Sequence, residues 1–330
     1  MVRIGLLGCG RIGQVHARTI KGLAEARVVA VSDAMPEAAE ALAGSLGAEV
    51  RGTDEIIAAG DIDAVVIGTP TTTHYDLIHS AARAGKAIFC EKPVDLSSER
   101  ILDCIDVVEK AGVPFMTAFN RRFDPNFQTI KARIDAGEIG KVEIVTILSR
   151  DPSPPPLSYI KTSGGLFRDM MIHDFDMARF LLGEEPVTVH AVGSAIVDPE
   201  IGAAGDVDTA AVLLTTQSGA ICQISNSRRA TYGYDQRVEV HGAGGMLRAD
   251  NQLVSTVEQA SSDGFQRAPA QHFFLERYEQ AYRAEMTAFI AGLNGKTPLS
   301  PTIHDGLRAQ RLADAATESW RSGQTIRLEE

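Results

Sequence analysis

Short apolar runs alternate with longer helix-like stretches over the first 120 residues of the chain. The apolar runs have the length of strands and lie at residues 2–7, 28–32, 64–68, 87–90 and 114–119. The stretches with helical length and periodicity lie at residues 14–23, 75–84 and 98–111. Alternating strands and helices of these lengths predict a parallel sheet with right-handed crossover connections.

Beyond residue 120 the pattern changes to an α+β arrangement. A helix is expected up to about residue 136, and strand-like runs follow at residues 142–148, 187–197, 209–216, 220–225, 237–241 and 246–249. Short turns such as Gln217-Ser218-Gly219 separate successive runs, which predicts antiparallel pairing. Two helices, at residues 274–293 and 304–320, close the chain. We therefore expect a largely antiparallel open sheet backed by helices.

Residues 8–13 read Gly-Cys-Gly-Arg-Ile-Gly and lie between the first strand and the first helix. In this context the first glycine permits a tight turn, the second lets the backbone approach a pyrophosphate, and the third allows close helix packing. The phosphate would rest on the amino-terminal end of the helix. We predict a Rossmann dinucleotide-binding domain at residues 1–120. Residues 121–330 would form an α+β domain for substrate binding and oligomerisation.

Asp33 ends the second strand, about 20 residues after the glycine loop, at the spacing of a ribose-binding acid. Its carboxylate would accept hydrogen bonds from the ribose hydroxyls and repel a 2′-phosphate. Ala34 and Met35 follow, so no arginine is at hand for that phosphate. We therefore predict NAD rather than NADP. The alternative for Asp33 is a helix-capping or turn residue.

Three further polar positions follow strands of the predicted parallel sheet: Thr69, the pair Glu91-Lys92, and Asn120. Ligands bind to such sheets at the carboxyl ends of the strands. These residues are therefore expected to line one crevice. A surface lysine before a turn proline remains the alternative for Lys92.

Residues 164–180 predict a helix that is buried on several sides, since apolar residues leave it no clean polar face. Asp169 and His173 would lie one turn apart on one side of this helix, with Asp176 three residues further on. A carboxylate and an imidazole in such surroundings need partners. Two interpretations remain open, a structural hydrogen-bonded pair and a catalytic unit.

The run at residues 209–214 is apolar on both faces of its strand. A strand with one face in water should alternate, so both faces are expected to be covered, one by helices and the other by a second subunit. This pattern predicts a homo-oligomer, and we expect a tetramer.

Composition and charge exclude several classes of partner. The chain of 330 residues has a formal net charge of -11, which argues against nucleic acid or an anionic membrane surface. No apolar run approaches membrane-spanning length, and the amino terminus leaves no room for a signal peptide, so a cytoplasmic location is expected. The four cysteines show no metal-ligand spacing, and no metal site is predicted.

Taken together, these motifs resemble those of the Gfo/Idh/MocA oxidoreductase family along essentially the whole chain. The resemblance depends on the glycine loop, residues 69–74 (Thr-Pro-Thr-Thr-Thr-His), residues 91–93 (Glu-Lys-Pro), residues 119–124 (Phe-Asn-Arg-Arg-Phe-Asp), residues 164–176 and residues 232–235 (Tyr-Gly-Tyr-Asp). Glu-Lys-Pro and Asp-x-x-x-His-Asp are specific when they occur together.

The resemblance implies that Lys92, Asp169 and His173 are catalytic. His173 would take the hydroxyl proton, Asp169 would orient the imidazole and stabilise its charged form, and Lys92 would hold the reacting hydroxyl. It also implies that Glu91 lies near the nicotinamide and that the bond before Pro93 is a candidate for cis geometry.

Further contacts follow from the same resemblance. Cofactor contacts are expected at Gly8, Gly10, Arg11, Ile12, Gly13, Asp33, Thr69, His74, Glu91 and Lys92. Polyol contacts are expected at Lys92, Asn120, Arg121, Asp169, His173, Asp176, Tyr232 and Tyr278. The alternatives are helix capping for His74 and core packing for Tyr278.

The implied activity is NAD-dependent oxidation of a ring hydroxyl of myo-inositol to 2-keto-myo-inositol. A rival substrate is another inositol isomer or a pyranose sugar, because the same three residues would serve any secondary alcohol. A rival of another class is a dinucleotide sensor that has lost the reaction, although it would have no need of Lys92, Asp169 and His173 together. A zinc-dependent dehydrogenase would need ligands that the scattered cysteines do not offer.

Overall fold

The computed structural model describes residues 1–328, and its first sheet contains six parallel strands in the order β3-β2-β1-β4-β5-β6. Its strands are β1 (Val2–Leu7), β2 (Ala26–Ser32), β3 (Glu49–Val50), β4 (Ala64–Ile67), β5 (Ala87–Glu91) and β6 (Phe115–Ala118). The helices between them are α1 (Arg11–Lys21), α2 (Pro36–Leu46), α3 (Thr53–Ala58), α4 (His74–Arg83) and α5 (Ser98–Ala111). The Rossmann-type parallel sheet is confirmed. No element was predicted between residues 34 and 63, where α2, β3 and α3 lie.

Alternate residues of the central strands enter two separate apolar clusters. Leu6, Val66 and Phe89 belong to one cluster, whereas their chain neighbours Leu7 and Ile88 belong to the other. Successive side chains of a strand point to opposite faces, so each face of the sheet has its own core. This explains why the strands are apolar without alternation.

The second sheet contains seven strands in the order β12-β11-β7-β10-β9-β8-β15. Helices and strands from residue 124 onward are α6 (Pro125–Asp135), β7 (Val142–Arg150), α7 (Leu157–Ser163), α8 (Leu166–Asp169), α9 (Ile172–Leu182), β8 (Pro186–Ser194), α10 (Pro199–Ala203), β9 (Thr209–Thr216), β10 (Ile221–Ser227), β11 (Asp235–Gly242), β12 (Gly245–Ala249), β13 (Glu258–Ser261), β14 (Gly264–Arg267), α11 (Phe274–Arg277), α12 (Glu279–Leu293), α13 (Ile303–Ser322) and β15 (Ile326–Arg327). Strands β7 and β10 pair in parallel, and the other neighbours pair antiparallel, as predicted for a largely antiparallel sheet. Strands β13 and β14 form a separate two-stranded hairpin.

The chain divides into two compact units that differ from the predicted domains at the carboxyl end. The first unit is Met1–Phe123 with Ala281–Gln310, and the second is Asp124–Gln280 with the residues from Arg311 onward. The prediction placed residues 281–310 in the second domain. The structure places them in the first, because Met286 and Phe289 of α12 pack in the same apolar cluster as β1 and β5.

The single helix predicted at residues 164–180 is wrong in detail. Helix α8 ends at Asp169, and α9 begins at Ile172. At the junction the Met171 N–H bonds to the Leu166 carbonyl at 2.9 Å, and the Asp174 N–H bonds to the Met171 carbonyl at 2.8 Å. The hydrogen-bond spacing therefore widens to five residues and then narrows to three, which breaks the helix. The helix predicted at residues 274–293 is likewise divided, at Tyr278, into α11 and α12.

The outer face of the second sheet is exposed in the single chain. Along β9, Ala210, Val212 and Leu214 are buried, whereas Leu213 is 47% exposed, and Val192 on the neighbouring β8 is 56% exposed. The face of β9 that carries Ala210, Val212 and Leu214 is therefore covered, as predicted. Cover of the other face by a second subunit stays a prediction.

Two further sequence expectations concern cysteines and membranes. Cys9, Cys90, Cys104 and Cys222 are all buried and free. Within residues 1–328, no helix combines the length and the apolar character needed to cross a membrane.

Candidate active site

The glycine loop has the geometry of a pyrophosphate cradle. Gly8 has a φ of +97°, and a Cβ added at Gly13 would lie 1.9 Å from the Gly8 carbonyl oxygen, so neither position admits a side chain without rearrangement. Gly10 has nothing within 4 Å of its Cβ position. Helix α1 begins at Arg11 with no side-chain cap and no acidic residue in its first turn. The loop therefore fits a dinucleotide, with open space at the glycine that the phosphate approaches and the amino-terminal end of α1 behind it.

Asp33 ties the end of β2 to this loop. Its carboxylate accepts a hydrogen bond from the Cys9 N–H at 2.6 Å and another from the Met35 N–H at 2.8 Å. The bond from Cys9 holds the carboxylate beside the glycine loop. The bond from Met35, two residues further on, is the one expected if Asp33 is a turn residue. Burial, with the Asp33 charge, raises the pKa of the Cys9 thiol to about 11, so this thiol stays protonated at neutral pH.

His74 connects the loops after β4 and β5. Its ring is 1% exposed, with Nδ1 2.9 Å from the Pro93 carbonyl oxygen and Nε2 2.9 Å from the Thr69 carbonyl oxygen. Burial lowers the pKa of this imidazole, and the two carbonyls oppose that change. Its side chain links two backbone segments and makes no helix cap. Contact between His74 and a cofactor stays a prediction.

Glu91 and Lys92 lie at the carboxyl end of β5, and the Lys92–Pro93 peptide bond is cis, as the resemblance implied. The Glu91 side chain is largely buried, and its Oε1 lies 2.6 Å from Nε2 of His16 on α1. The sequence alone predicts no role for His16. The two residues are 75 positions apart, and no spacing rule connects them.

Asn120 and Arg121 follow β6 in a short 3-10 helix, and both are buried, with 3% exposure each. Their neighbour Arg122 forms an ion pair with Asp305 at 3.0 Å. The expectation that residues after β4, β5 and β6 share one edge of the sheet is met, since the three strands are neighbours and parallel. Whether Asn120 and Arg121 contact a polyol stays a prediction.

In the second unit, Asp169 lies at the end of α8 and is held by two residues that the sequence analysis missed. The Tyr159 hydroxyl donates to Asp169 Oδ1 at 2.9 Å, and the buried Arg228 guanidinium lies 3.4 Å from Oδ2. His173 follows in the first turn of α9 and is half-buried, with its Nδ1 shielded from solvent. The break between α8 and α9 thus separates the aspartate from the histidine by one irregular turn.

A buried polar cluster fixes α9 beneath the second sheet. Asp174, which has no exposed surface, accepts hydrogen bonds from the Ser149 hydroxyl at 3.0 Å and the Asn226 amide at 2.9 Å. Gln236 also contacts the Ser149 hydroxyl. Because one hydroxyl hydrogen serves one acceptor, we orient the Gln236 amide with its nitrogen donating to Ser149. These hydrogen bonds therefore anchor Asp174, the residue that directly follows His173.

Asp176 and Tyr232 have partners of their own. Asp176 is 1% exposed and lies 3.4 Å from the guanidinium of Arg179. Tyr232 is 50% exposed, and its hydroxyl donates to Asp235 at 2.6 Å. Burial opposes ionisation of Asp235, but hydrogen bonds from Arg237, Tyr232 and other donors hold the pKa of its carboxyl below the ordinary value.

Tyr278 is 2% exposed, and its ring meets Tyr234 edge-on at 5.9 Å. The Arg277 guanidinium lies 4.8 Å from the centre of the same ring. This is the core packing that the sequence analysis gave as the alternative for Tyr278. Its role as a polyol contact stays a prediction.

Two domain families match this chain. Residues 2–119 match the oxidoreductase family with an NAD-binding Rossmann fold, and residues 127–248 match the GFO/IDH/MocA C-terminal domain. Inositol 2-dehydrogenase of Rhizobium meliloti (strain 1021) is 58% identical over 318 residues, which cover 96% of each chain. Myo-inositol 2-dehydrogenase of Thermotoga maritima is 44% identical over 331 residues, which cover 100% of this chain and 99% of the relative.

Solved structures agree with these matches. A myo-inositol dehydrogenase from Corynebacterium glutamicum superposes with a TM-score of 0.96 at 44% identity, covering 100% of this chain and 99% of the other. Scyllo-inositol dehydrogenase from Lactobacillus casei, with bound NAD(H) and scyllo-inositol, superposes with a TM-score of 0.93 at 32% identity, covering 99% of both chains. The chain belongs to the Gfo/Idh/MocA oxidoreductase family.

Proposed function

We propose that this chain is an NAD-dependent inositol 2-dehydrogenase that oxidises the 2-hydroxyl of myo-inositol to 2-keto-myo-inositol. The observation that carries the proposal is the match along nearly the whole chain to relatives named for this activity. The glycine cradle at residues 8–13 supports the choice of a dinucleotide, and Asp33 beside it supports NAD.

Oxidation of a secondary alcohol removes a hydride from carbon and a proton from oxygen. Bound NAD supplies the hydride acceptor. We assign proton removal to Nε2 of His173, since Nδ1 of that ring is shielded from solvent. Asp169, held by Tyr159 and Arg228, stabilises the imidazolium that results.

Lys92 stabilises the alkoxide character that develops on the reacting oxygen. Its backbone lies at the carboxyl end of β5, directly after the buried Glu91. A lysine ammonium is a compact charge with three donors, which suits a hydroxyl oxygen that is losing its proton.

The remaining residues hold the two ligands. We assign the pyrophosphate to Gly10 and the first turn of α1, from Arg11 to Gly13, and the ribose to Asp33. Thr69, His74 and Glu91 are proposed to border the nicotinamide half. A polyol presents only hydroxyl groups, so its contacts are assigned to the polar side chains of Asn120, Arg121, Asp176 and Tyr232. A polyol contact is also assigned to Tyr278, whose ring packs against Tyr234 in the core.

Scyllo-inositol is the second candidate substrate. It is favoured by the 32% identical Lactobacillus casei enzyme, whose structure contains scyllo-inositol and NAD(H). The two isomers differ only in the orientation of one hydroxyl group, and the same proton-transfer residues would serve both.

We further propose a homo-oligomer, specifically a tetramer, that buries the outer face of the second sheet. The exposed apolar residues of this face are Ile144, Val192, Leu213, Ile221 and Met246. An apolar face of this kind is typical of an interaction surface. Light scattering after size exclusion should give four times the chain mass, and a monomer at micromolar concentration would contradict the proposal.

Free buried cysteines fit a reducing compartment, and we propose the cytoplasm.

Purified protein mixed with NAD should reduce it in the presence of myo-inositol. Initial rates are compared for myo-inositol, scyllo-inositol, chiro-inositols, glucose and xylose, each with NAD and with NADP. The highest kcat/KM is expected for myo-inositol with NAD. A preference for scyllo-inositol or a sugar would support the proposed reaction but contradict myo-inositol as its substrate. Absence of any turnover despite NADH binding would favour a dinucleotide sensor that has lost the reaction.

Lys92→Ala and His173→Ala should each lower kcat by about 100- to 10,000-fold, the usual contribution of a general acid or base. NADH should still bind, as measured by fluorescence titration. Lys110→Ala and His304→Ala serve as matched controls, because both side chains are exposed and each contacts a surface carboxylate. Turnover near the wild-type value in either test variant would remove that residue from the mechanism.

Asp33→Asn should narrow the preference for NAD over NADP by about ten- to hundredfold, since a charge-assisted hydrogen bond contributes about 1.5–3 kcal/mol. The asparagine oxygen can still accept from the Cys9 N–H, so the loop keeps its tie while the charge is lost. Asp33→Ser removes both. The ratio of kcat/KM for the two cofactors is the measurement, and an unchanged ratio in both variants would mean that Asp33 does not contact the ribose.

A further inference from the structure

The turn that carries Lys92 is held by a buried histidine on the helix that follows the glycine loop. His16 has no exposed surface, and its Nε2 lies 2.6 Å from Glu91 Oε1. The second carboxylate oxygen of Glu91, Oε2, accepts a hydrogen bond from the Lys92 N–H at 3.3 Å. One carboxylate therefore joins the His16 ring to the Lys92 backbone.

The surroundings of the His16 ring decide where its proton lies. Phe89 and Tyr282 meet the ring edge-on, with centroid distances of 5.1 Å and 6.0 Å. Within residues 1–328, the buried Nδ1 has no hydrogen-bond partner. A proton on Nδ1 would place an N–H without an acceptor in an apolar pocket, whereas a proton on Nε2 is donated to a carboxylate. Nε2 is therefore the nitrogen that donates to the Glu91 carboxylate.

The opposite side of the turn is also restrained. His74 contacts the carbonyl oxygen of Pro93, the residue after Lys92, and the carbonyl oxygen of Thr69. The backbone on both sides of Lys92 is thus tied to buried imidazoles, one on α1 and one on α4. Of the two ties, the one through His16 also reaches the helix that begins at the dinucleotide cradle.

We propose that His16 is a positioning residue for Lys92. Its Nε2–H holds the Glu91 carboxylate in place, and that carboxylate accepts a hydrogen bond from the Lys92 N–H. His16 thereby fixes the position of the Lys92 backbone and of its Cα–Cβ bond. The importance of this position for catalysis rests on the proposed function of Lys92. A misplacement of about 1 Å can cost a catalytic group on the order of a hundredfold in rate, so a residue of this kind affects turnover without touching the substrate.

Three variants separate positioning from simple packing. His16→Gln keeps an N–H donor at the same reach, and His16→Leu removes the donor but keeps apolar volume. His79→Leu removes an imidazole from α4, where the ring lies against Tyr75 with a centroid distance of 4.3 Å. It is the control for losing a histidine in the same unit.

The first measurement needs no substrate. Lysine side chains are 13C-methylated in the whole protein, and the Lys92 resonance is identified by its absence in Lys92→Arg. The Lys92 resonance should move in His16→Leu, return to its wild-type position in His16→Gln, and stay in place in His79→Leu. The Lys110 resonance should be constant throughout. An unmoved Lys92 resonance in folded His16→Leu overturns the proposal.

The second measurement is kinetic. His16→Leu should lower kcat about ten- to hundredfold with less than about a threefold change in the KM for inositol, and His16→Gln should recover most of the loss. Equal losses in both His16 variants would show that packing and not the N–H is responsible, and would overturn the proposal. If His16→Leu fails to fold, kcat is compared between His16→Gln and His16→Asn, whose shorter side chain cannot reach Glu91. The proposal expects a lower kcat for His16→Asn, and equal kcat values would overturn it.

The two measurements distinguish this proposal from the proposed function. A Lys92 resonance that moves as expected, in a wild-type protein that oxidises no inositol, would uphold the positioning and reject the function. Normal inositol oxidation by the wild-type protein, with a Lys92 resonance that does not move in His16→Leu, would support the proposed function and reject the positioning role of His16.

Discussion

The close approach of α1 to the loop after β1 is the constraint on which the first unit depends. A Cβ at Gly13 would fall 1.9 Å from the Gly8 carbonyl oxygen, so the helix can lie against the loop only because residue 13 has no side chain. That approach directs the amino-terminal end of α1 at the open space around Gly10. It also places His16, one turn further along the same helix, under the carboxylate of Glu91. The phosphate cradle and the support of the lysine turn are thus two results of one packing contact.

In the second unit the organising problem is the burial of charge. Helix α9 carries Asp174, Asp176 and Arg179 in positions with little or no exposed surface, and each has partners. A buried carboxylate without a partner would be costly, so the polar cluster around Asp174 restricts α9 to one position on the sheet. His173 is attached to that restricted backbone. Asp169 lies outside α9 and is held separately, by Tyr159 and Arg228.

Sequence patterns predicted the features that depend on neighbours along the chain. The alternation of strands and helices, the glycine loop, the acid after β2 and the strand at residues 209–216 follow from local rules, and the structure has all of them.

Local rules failed where tertiary packing decides the structure. The helix at residues 164–180 is broken at Met170 and Met171, although nothing in their helix propensity requires it. Residues 281–310 return to the first sheet because Met286 and Phe289 fit its core, which the periodicity of a single helix does not reveal. The contact between His16 and Glu91 joins positions 75 apart, and only the folded chain brings them together.

The fate of the hydrogen on C2 of myo-inositol tests whether this chain transfers a hydride from that carbon to NAD. The protein is incubated with NAD and with myo-inositol that carries deuterium at C2, and both products are analysed by mass spectrometry. Direct hydride transfer from C2 should place one deuterium on the reduced nicotinamide and leave a ketone at C2 that has lost it. Deuterium that remains on the ring, or appears in water without reaching the nicotinamide, would contradict direct hydride transfer from that carbon.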